Sequence, residues 1–301
     1  MKHKLIIITG TNASGKSSLG IDLAKKFNGE IVSADSRQVY KGLDLGSGKV
    51  TPEEMKGVPH HLLDVVMPND FYSLVDFQMQ AYEAIDGIIS KNKNPFLVGG
   101  TGLYINSVAD GYNMRHEKPD LELRKRLDAK NIDELIEIIR CHNPGALDRI
   151  DLKNKQRLER AAEKALSGDT QIRPNIPRYD TLILGVTWPR DVLYERIRHR
   201  LDIRLSQGMI EEVENLRKNG AEDDFLYRLG LEYRYILMYL RGEFTDFYAF
   251  YNKLFMEIRH LAKEQMTWFR KRKDIIWIDM TNKPEEEATK YINEFLDMSI
   301  H

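Results

Sequence analysis

A short glycine-rich segment directly after the first apolar run can hold phosphate. Residues 10–17 read Gly10-Thr11-Asn12-Ala13-Ser14-Gly15-Lys16-Ser17, which fits the pattern G-x-x-x-x-G-K-[ST] in full. Glycines let the backbone curl so that successive N–H groups point at phosphate oxygens, a lysine adds a cation, and a serine hydroxyl suits Mg²⁺. The segment therefore predicts a site for a diphosphate or triphosphate, with Lys16 on the phosphate and Ser17 on the metal.

The elements around this segment are those that such a loop needs. Residues 5–9 are rich in isoleucine and predict a buried strand, and residues 17–27 have helical apolar spacing. Two more short strands are predicted at 30–32 and 95–98, with a helix at 71–90 between them. This alternation predicts an α/β fold with a P-loop NTPase-like parallel sheet core, in which ligands lie at the carboxyl ends of the strands.

The character of the chain changes after about Tyr112. From Pro119 to about Ser167 it is charged and helix-prone, and strand signals return at 181–186. We therefore predict a core domain formed by residues 1–112 and 181–301, and a helical insert at 113–180. Within the insert, helical segments are expected near 121–127, 132–139 and 154–166. The rest of the core is predicted to be helical over 190–272, with a last strand at 275–279 and a closing helix at 285–296.

Two polar residues follow the later strands and would share the rim with the phosphate loop. Asp35 comes just after the second strand and could act as a general base. A turn or helix-capping role is an equal alternative for Asp35, and a plain turn role is one for Thr101, which follows the third strand. That third strand ends in Gly99-Gly100-Thr101-Gly102 and not in a magnesium-binding aspartate. The diphosphate could therefore belong to something other than ATP, although the loop alone is typical of nucleotide-binding and ATP-binding proteins.

The two adjacent histidines are expected to have structural or pocket-lining roles, and the single cysteine a structural role. His60 and His61 are adjacent, so on an extended chain they face opposite ways, and no third metal ligand is spaced nearby. Cys141 is expected to be a small core residue. Arginines and aromatics are interleaved at 190–204 and 259–273, which suits nucleic acid. The acidic residues among them favour a solvated helix face instead.

Composition narrows the class of protein. The 301 residues are 42% hydrophobic and 30% charged, with a formal net charge of −1, so bulk charge gives no reason to expect nucleic acid. A single cysteine fits a reducing compartment. The apolar run at the start is too short for a signal peptide, and no stretch approaches a membrane span. We expect a soluble, cytoplasmic monomer that does not use a membrane.

Several strings in the chain together resemble the tRNA dimethylallyltransferase family, also called isopentenyl-diphosphate:tRNA transferases. The resemblance covers nearly the whole chain, and A-D-S-x-Q-V-Y followed by V-G-G-T-G-L-Y is its most specific part. The strings lie at residues 10–17, 33–40 (S-A-D-S-R-Q-V-Y), 60–64 (H-H-L-L-D), 98–104 (V-G-G-T-G-L-Y), 156–161 (Q-R-L-E-R-A), 208–213 (G-M-I-E-E-V) and 262–269 (A-K-E-Q-M-T-W-F).

The resemblance implies prenyl transfer from dimethylallyl diphosphate to N6 of adenosine 37 in the tRNA anticodon stem-loop, with release of diphosphate. The loop would hold the diphosphate with Mg²⁺, Asp35 would accept the N6 proton, and Thr101 would hydrogen bond near the bridging oxygen. Lys16, Asp35 and Thr101 are thus the implied catalytic residues, and Arg228 is the best match to a donor-binding arginine of the family. The implied tRNA-binding residues are Asp35, Ser36, Arg37, Gln38, Thr101, Arg124, Gln156, Arg157, Leu158, Glu159 and Arg160.

The chain departs from the family pattern at four places. The usual proline-threonine pair of the first loop is Thr11-Asn12, and the usual D-I-G-T-A-K-P is D-L-G-S-G-K-V at 44–50. The usual lysine-arginine-glutamine is Lys263-Glu264-Gln265. A shorter glycine-tyrosine motif is typical where this chain has L-G-L-E-Y-R at 229–234.

Three other functions stay open at this point. A related enzyme could prenylate free AMP, ADP or ATP, although the insert and the match at 156–160 favour tRNA. A P-loop kinase of small molecules would instead be stabilised by ATP. A nucleic-acid-binding protein without catalysis is disfavoured because Lys16, Asp35 and Thr101 are all present.

Overall fold

The computed structural model describes residues 2–114, 120–168 and 173–297. The chain divides into two compact units, one formed by Met1–Tyr112 with Ile176–His301 and the other by Asn113–Asn175. Pro119, where the sequence first turns charged and helix-prone, lies outside the described residues.

The larger unit is built on a six-stranded sheet in which every pairing is parallel, as the strand pattern predicts. The order across the sheet is β3-β2-β4-β1-β5-β6. The strands are β1 (Lys4–Gly10), β2 (Gly29–Ser33), β3 (His60–His61), β4 (Asn94–Gly99), β5 (Asp180–Thr187) and β6 (Ile275–Asp279).

Twelve α-helices are present in the described part of the chain. They are α1 (Lys16–Lys26), α2 (Leu74–Ser90), α3 (Gly102–Ala109), α4 (Leu121–Asp128), α5 (Ile132–His142), α6 (Lys155–Leu166), α7 (Arg190–Ser206), α8 (Met209–Lys218), α9 (Asp223–Leu229), α10 (Leu231–Leu240), α11 (Phe247–Phe269) and α12 (Pro284–Asp297). None of the helices in 2–114, 120–168 and 173–297 combines the length and apolar composition needed to cross a bilayer.

Both faces of the sheet are covered, which explains why β1 is apolar at successive positions. Ile6 and Ile8 share a buried cluster with residues of α1 and α12, whereas Leu5 and Ile7 share another with residues of α2 and α3. Since successive side chains of a strand point to opposite faces, the run Leu5–Ile8 fixes β1 between two helical layers.

A third buried cluster joins the segment after β2 to helices α7–α11. Val39, Tyr40 and Leu43 belong to it together with Met209 of α8 and Tyr233 of α10. This cluster holds the chain that leaves the carboxyl end of β2, which is the segment that carries Asp35.

The smaller unit contains α4, α5, α6 and a short 3₁₀ helix at Pro144–Arg149 around a core of its own. Asn131 begins α5 with a capping box that includes Glu134, and Asn154 caps α6. Cys141 of α5 is exposed, with its Sγ 3.7 Å from Oε1 of Glu137. The expectation that Cys141 is a core residue is therefore wrong, because it lies on the solvent side of an amphipathic helix.

His60 and His61 each make a hydrogen bond within the fold. They form the edge strand β3, and the ring of His61 hydrogen bonds to Oε2 of buried Glu30 at 2.7 Å. His60 Nδ1 lies 2.8 Å from the carbonyl oxygen of Val58. Across the described ranges, no group of three or more acidic, histidine or cysteine side chains is arranged to bind a metal.

Candidate active site

The predicted phosphate loop turns from the end of β1 into the start of α1. Its curl requires left-handed backbone at Ala13, with φ 59°, and at Gly15, with φ 87°. Lys16 is buried, and its Nζ donates to the carbonyl oxygen of Thr11 at 3.1 Å, so the ammonium lies over the loop. Ser14 Oγ is buried and has no hydrogen-bond partner among the described residues, so its hydroxyl is available to a bound anion.

Two side chains outside the loop hold its outer wall. Trp188 Nε1 donates to the carbonyl oxygen of Ser14 at 2.8 Å, and Arg196 Nε donates to that of Ala13 at 2.9 Å. The Arg196 guanidinium also lies 4.5 Å from the centre of the Trp188 ring, which is a cation–π contact. These two carbonyl groups are therefore directed outward. Of the loop N–H groups, that of Asn12 donates to Gln265 Oε1 at 2.9 Å and that of Ser14 donates to the carbonyl oxygen of Thr11 at 3.4 Å.

Asp35 and Thr101 are brought together by a turn that follows β2. The Asp35 carboxylate accepts a hydrogen bond from the backbone N–H of Arg37 at 2.9 Å. Thr101 Oγ1 accepts one from the N–H of Ser36 at 3.1 Å and lies 3.4 Å from Ser36 Oγ. Thr101 therefore fixes the turn that carries Asp35, and its hydroxyl lies at the same end of the sheet as the phosphate loop.

One pocket at the carboxyl ends of the strands contains residues from the loop and from the Asp35 turn. Its cationic side is formed by Lys16, Arg200 and Arg204, and Asp35 and Glu232 add carboxylates. The full lining is Asn12, Ala13, Lys16, Ser17, Asp35, Gln38, Ser47, Val98, Gly99, Ile197, Arg200, Leu201, Arg204, Glu232 and Ile258. The pocket thus joins a cationic polar part to an apolar wall.

The cations in this pocket repel one another. Burial, and then the nearby Arg200, lower the pKa of Lys16 to about 8, although Asp35 partly offsets this. Burial, and then Arg204, lower the pKa of Arg200 to about 10. The pKa of Arg204 is also lowered by burial, against the attraction of Glu232. Three mutually repelling cations around one pocket fit a ligand with more than one negative charge.

A loop at residues 44–49 closes one side of the pocket, and a single carboxylate holds it. Glu212 of α8 accepts backbone N–H bonds from Asp44, Leu45 and Gly46 at 3.0, 2.6 and 3.0 Å. The Tyr233 hydroxyl donates to the same carboxylate at 3.0 Å. At the far end of the loop, the carbonyl oxygen of Gly48 accepts bonds from Gln38 Nε2 at 3.2 Å and from Arg200 Nη2 at 3.3 Å.

Thr101 and Arg228 are not in the lining of this pocket, whereas the sequence-predicted residues that line it are Asn12, Ala13, Lys16, Ser17, Asp35 and Gln38. Arg228 is exposed on α9, where its Nε pairs with Asp224 at 3.0 Å. The arginines in the pocket lining are Arg200 and Arg204, which the sequence analysis recorded only as part of a basic cluster. Their spacing of four residues on a predicted helix was the available signal, since residues at i and i+4 share one helix face.

The predicted RNA-contacting residues of the smaller unit lie on α4 and α6. Gln156, Arg157 and Arg160 are exposed, and Glu159 is partly exposed. Leu158 is fully buried in the core of the unit, so its side chain packs against the neighbouring helices and does not face solvent. Arg124 Nε pairs with the Glu163 carboxylate at 3.0 Å, and Arg160 pairs with the same carboxylate.

Comparison with known proteins shows which families this chain resembles. The IPP transferase family model matches residues 38–272, and the isopentenyl transferase family model matches residues 3–70. A tRNA dimethylallyltransferase 2 of Shewanella sediminis is 42% identical over 269 residues, covering 89% of each chain. A tRNA dimethylallyltransferase of Exiguobacterium sp. is 40% identical, covering 97% of this chain and 95% of that one.

Solved structures show the same fold. The full-length tRNA isopentenylpyrophosphate transferase of Bacillus halodurans is 35% identical, with a TM-score of 0.76 and coverage of 100% of both chains. A eukaryotic dimethylallyltransferase acting on tRNA, at 24% identity, has a TM-score of 0.82 over 98% of this chain and 80% of its own, and shares the fold.

Proposed function

Because this chain belongs to the tRNA dimethylallyltransferase family, we propose that it transfers a dimethylallyl group from dimethylallyl diphosphate to N6 of adenosine 37 in tRNA. Diphosphate is the second product. As a member of that family the chain is a prenyltransferase, and the donor, the acceptor atom and the roles of single residues are the parts that we propose.

The observation that carries the proposal is that Lys16 and Asp35 line one pocket, part of whose wall is apolar. Val98, Ile197 and Leu201 form part of that wall. Dimethylallyl diphosphate has the matching two parts, a branched five-carbon tail and a dianionic or trianionic head. A donor that puts its head on the phosphate loop would rest its tail on the apolar wall, on the side where Asp35 lies.

The chemistry then follows from the charges. As the bond between C1 of the allyl group and the bridging oxygen breaks, negative charge grows on the diphosphate and a delocalised allyl cation develops. Lys16, the loop N–H groups and the buried Ser14 hydroxyl would stabilise the growing charge, which is the largest single contribution expected. The N6 lone pair attacks C1, and the N6 proton passes to the Asp35 carboxylate.

Thr101 would assist at the leaving group. Its Oγ1 already accepts the Ser36 N–H, and its own hydrogen has only the long 3.4 Å contact to Ser36 Oγ. That hydrogen can therefore turn to the bridging oxygen of the diphosphate. The same residue would hold Asp35 in position and donate to the departing oxygen.

Mg²⁺ suits the oxygen ligands present. The Ser17 hydroxyl lines the pocket, and a small number of protein oxygen ligands combined with substrate phosphate is the usual arrangement at such a site. We propose that Ser17 holds the ion. When bound, it would neutralise part of the charge on the diphosphate.

The acceptor base must leave the anticodon stack to reach a pocket of this kind, so we propose that adenosine 37 is extruded. Exposed Gln156, Arg157 and Arg160 of α6 would contact the stem, and Ser36, Arg37 and Gln38 would contact the nucleotide beside Asp35.

The test is transfer of labelled dimethylallyl to unmodified tRNA with adenosines at positions 36 to 38. Lys16→Ala and Asp35→Ala are each expected to lose most turnover, and Asp35→Ala should still bind tRNA. Asp22→Asn, which removes a carboxylate paired with Lys56 on the outside of α1, serves as the control and should keep full activity. If label appears on free AMP or ATP but not on tRNA, the acceptor is a free nucleotide and not tRNA. ATP turnover without any prenyl transfer would refute the proposal.

A further inference from the structure

Gly48 and Glu232 meet at one arginine of the pocket. Gly48 lies in the loop at residues 44–49, and Glu232 lies in the first turn of α10. Both residues lie next to Arg204 of α7. The Arg204 guanidinium lies 4.0 Å from the Glu232 carboxylate, and the side chains of Arg204 and Glu232 line the pocket with Lys16. The three positions come from distant parts of the sequence, so only the fold reveals that they form one cluster.

Gly48 leaves the space that the Arg204 side chain fills. A Cβ atom added at Gly48 would overlap guanidinium nitrogens of both Arg204 and Arg200. Gly48 also has φ +64°, which a side chain rarely adopts. Any residue other than glycine would therefore push the two guanidinium groups away from the loop.

Glu232 holds Arg204 but does not cancel the charge of the pocket. The Arg204 and Glu232 side chains are only 13% and 15% exposed, at a separation that is long for a direct hydrogen bond. Lys16, Arg200 and Arg204 outnumber Asp35 and Glu232 in the lining, which leaves one cation in excess. Arg204 also lines a second pocket, whose lining includes Ser14 and Ser17 of the phosphate loop.

We propose that Arg204 is a further diphosphate-binding residue of this chain, admitted by Gly48 and oriented by Glu232. This rests on the proposed function for the identity of the donor, but its test needs only the anion. A guanidinium presents several N–H donors in one plane and can bind two phosphate oxygens at once, which a lysine cannot. Gly48 and Glu232 are positioning residues, because they act through Arg204.

The experiment is calorimetric titration of inorganic diphosphate with Mg²⁺ into the full chain. Arg204→Gln is expected to raise the dissociation constant on the order of tenfold. Gly48→Ala is expected to raise it by a similar factor in the wild-type background, and by a clearly smaller factor when Arg204→Gln is already present, because coupled residues are not additive and only the displacement of Arg200 then remains. Glu232→Gln should produce a smaller loss, with Arg204 kept but less well oriented.

Gly57 provides the matched control. It also has a positive φ, +78°, but a Cβ there would meet nothing within 4 Å. Gly57→Ala therefore introduces the same kind of backbone strain without displacing an arginine, and should leave diphosphate binding unchanged. If Arg204→Gln fails to fold, Arg204→Lys takes its place in both comparisons, because a lysine keeps the cation but not the planar guanidinium that binds two phosphate oxygens.

Two results would overturn the proposal. One is an Arg204→Gln variant that binds diphosphate within about twofold of wild type, and the other is a Gly48→Ala loss that is just as large without Arg204 as with it. Prenyl transfer to tRNA is measured separately. A wild-type chain that binds diphosphate through Arg204 but transfers nothing to tRNA would refute the proposed function and leave this inference standing.

Discussion

Gln265 of α11 ties the phosphate loop to the neighbouring strand end through Asn12. Its Oε1 accepts the backbone N–H of Asn12 at 2.9 Å, and its Nε2 donates to the carbonyl oxygen of Gly100 at 3.0 Å. One amide group therefore spans the loop that carries Lys16 and the turn that leads to Thr101. The position of the loop relative to that turn depends on a residue about 250 positions away in sequence, which no local pattern could supply.

Replacing Gln265 by alanine should loosen this connection. The variant loses two hydrogen bonds between partly buried groups, so the free energy of unfolding should fall by about 1–3 kcal/mol. The Michaelis constant for the diphosphate donor should rise, because the loop is no longer fixed. Thermal unfolding and steady-state transfer kinetics measure both effects. Glu264→Gln changes the exposed neighbour and should alter neither the free energy of unfolding nor the Michaelis constant. Equal effects from the two substitutions would show that the amide bridge is unimportant.

Local sequence signals predicted most of the core of the larger unit. The strand predicted at 275–279 matches β6, and the others agree within one or two residues. The helix predicted from residue 71 begins instead at Leu74, because Ser73 and Asp76 form a capping box. The edge strand β3 was missed, since two residues give no periodicity, and it exists only because Ile31 and Val32 of β2 pair with it.

The site was predictable only where its residues follow strands directly. The phosphate loop, Asp35 and Thr101 were predicted in this way, and their roles stay predictions. Arg204, Glu232 and Gln265 were not, because helices α7, α10 and α11 reach the pocket through packing between distant segments. Arg228 was chosen by its neighbourhood in sequence, yet the turn of α9 leaves it exposed beside Asp224.

The lowered pKa of Lys16 makes anion binding depend on pH. The folded chain holds this proton less tightly than the unfolded chain, with a pKa of about 8. In the free protein, Lys16 is therefore charged below pH 8 and increasingly neutral above it. We expect the dissociation constant for inorganic diphosphate to rise as pH passes from 7 to 9.5, measured by titration calorimetry.

Lys16→Arg is the control for that experiment, because diphosphate itself gains charge over the same range. An arginine at position 16 stays protonated throughout, so the variant reports the ionisation of the ligand and of the other pocket groups, without that of Lys16. The wild-type curve should weaken relative to the variant above pH 8. Parallel curves for the two proteins would contradict a titrating lysine.

The ionisation of Glu30 should make the free energy of unfolding depend on pH in the acid range. Its carboxylate is 97% buried by side-chain area, with 3% exposed, and it contacts Lys93, His61 and Lys91. Burial alone would raise its pKa, but the hydrogen bonds from these partners outweigh burial and lower the pKa to about 2. Since the folded pKa is depressed, the stabilisation is present above about pH 4.5 and is lost as the pH falls towards 2.

Glu30→Gln should therefore cost roughly 2–3 kcal/mol at pH 7 and little at pH 2.5, as measured by denaturant unfolding across this range. Glu285→Gln removes an exposed partner of Lys26 and should change stability by about 0.5 kcal/mol or less at any pH. A difference between wild type and Glu30→Gln that does not vary with pH would contradict the prediction.

Substitutions at two adjacent residues of α6 should distinguish a loss of packing from a loss of RNA binding. Leu158→Ala removes a fully buried side chain from the core of the smaller unit and should destabilise that unit by about 2–5 kcal/mol. Hydrogen exchange of amides in α5 and α6 measures this loss directly. Arg157→Ala alters an exposed residue one position away and should leave exchange unchanged.

Arg157→Ala should instead weaken tRNA binding and reduce the slope of log affinity against log salt by about 1, because one phosphate contact is lost. Lys290→Ala on α12 removes an exposed cation 71% accessible to solvent in the larger unit, and should leave both the affinity and the slope unchanged. If Lys290→Ala and Arg157→Ala reduce binding equally, α6 does not hold the RNA, and overall charge is sufficient to explain the affinity.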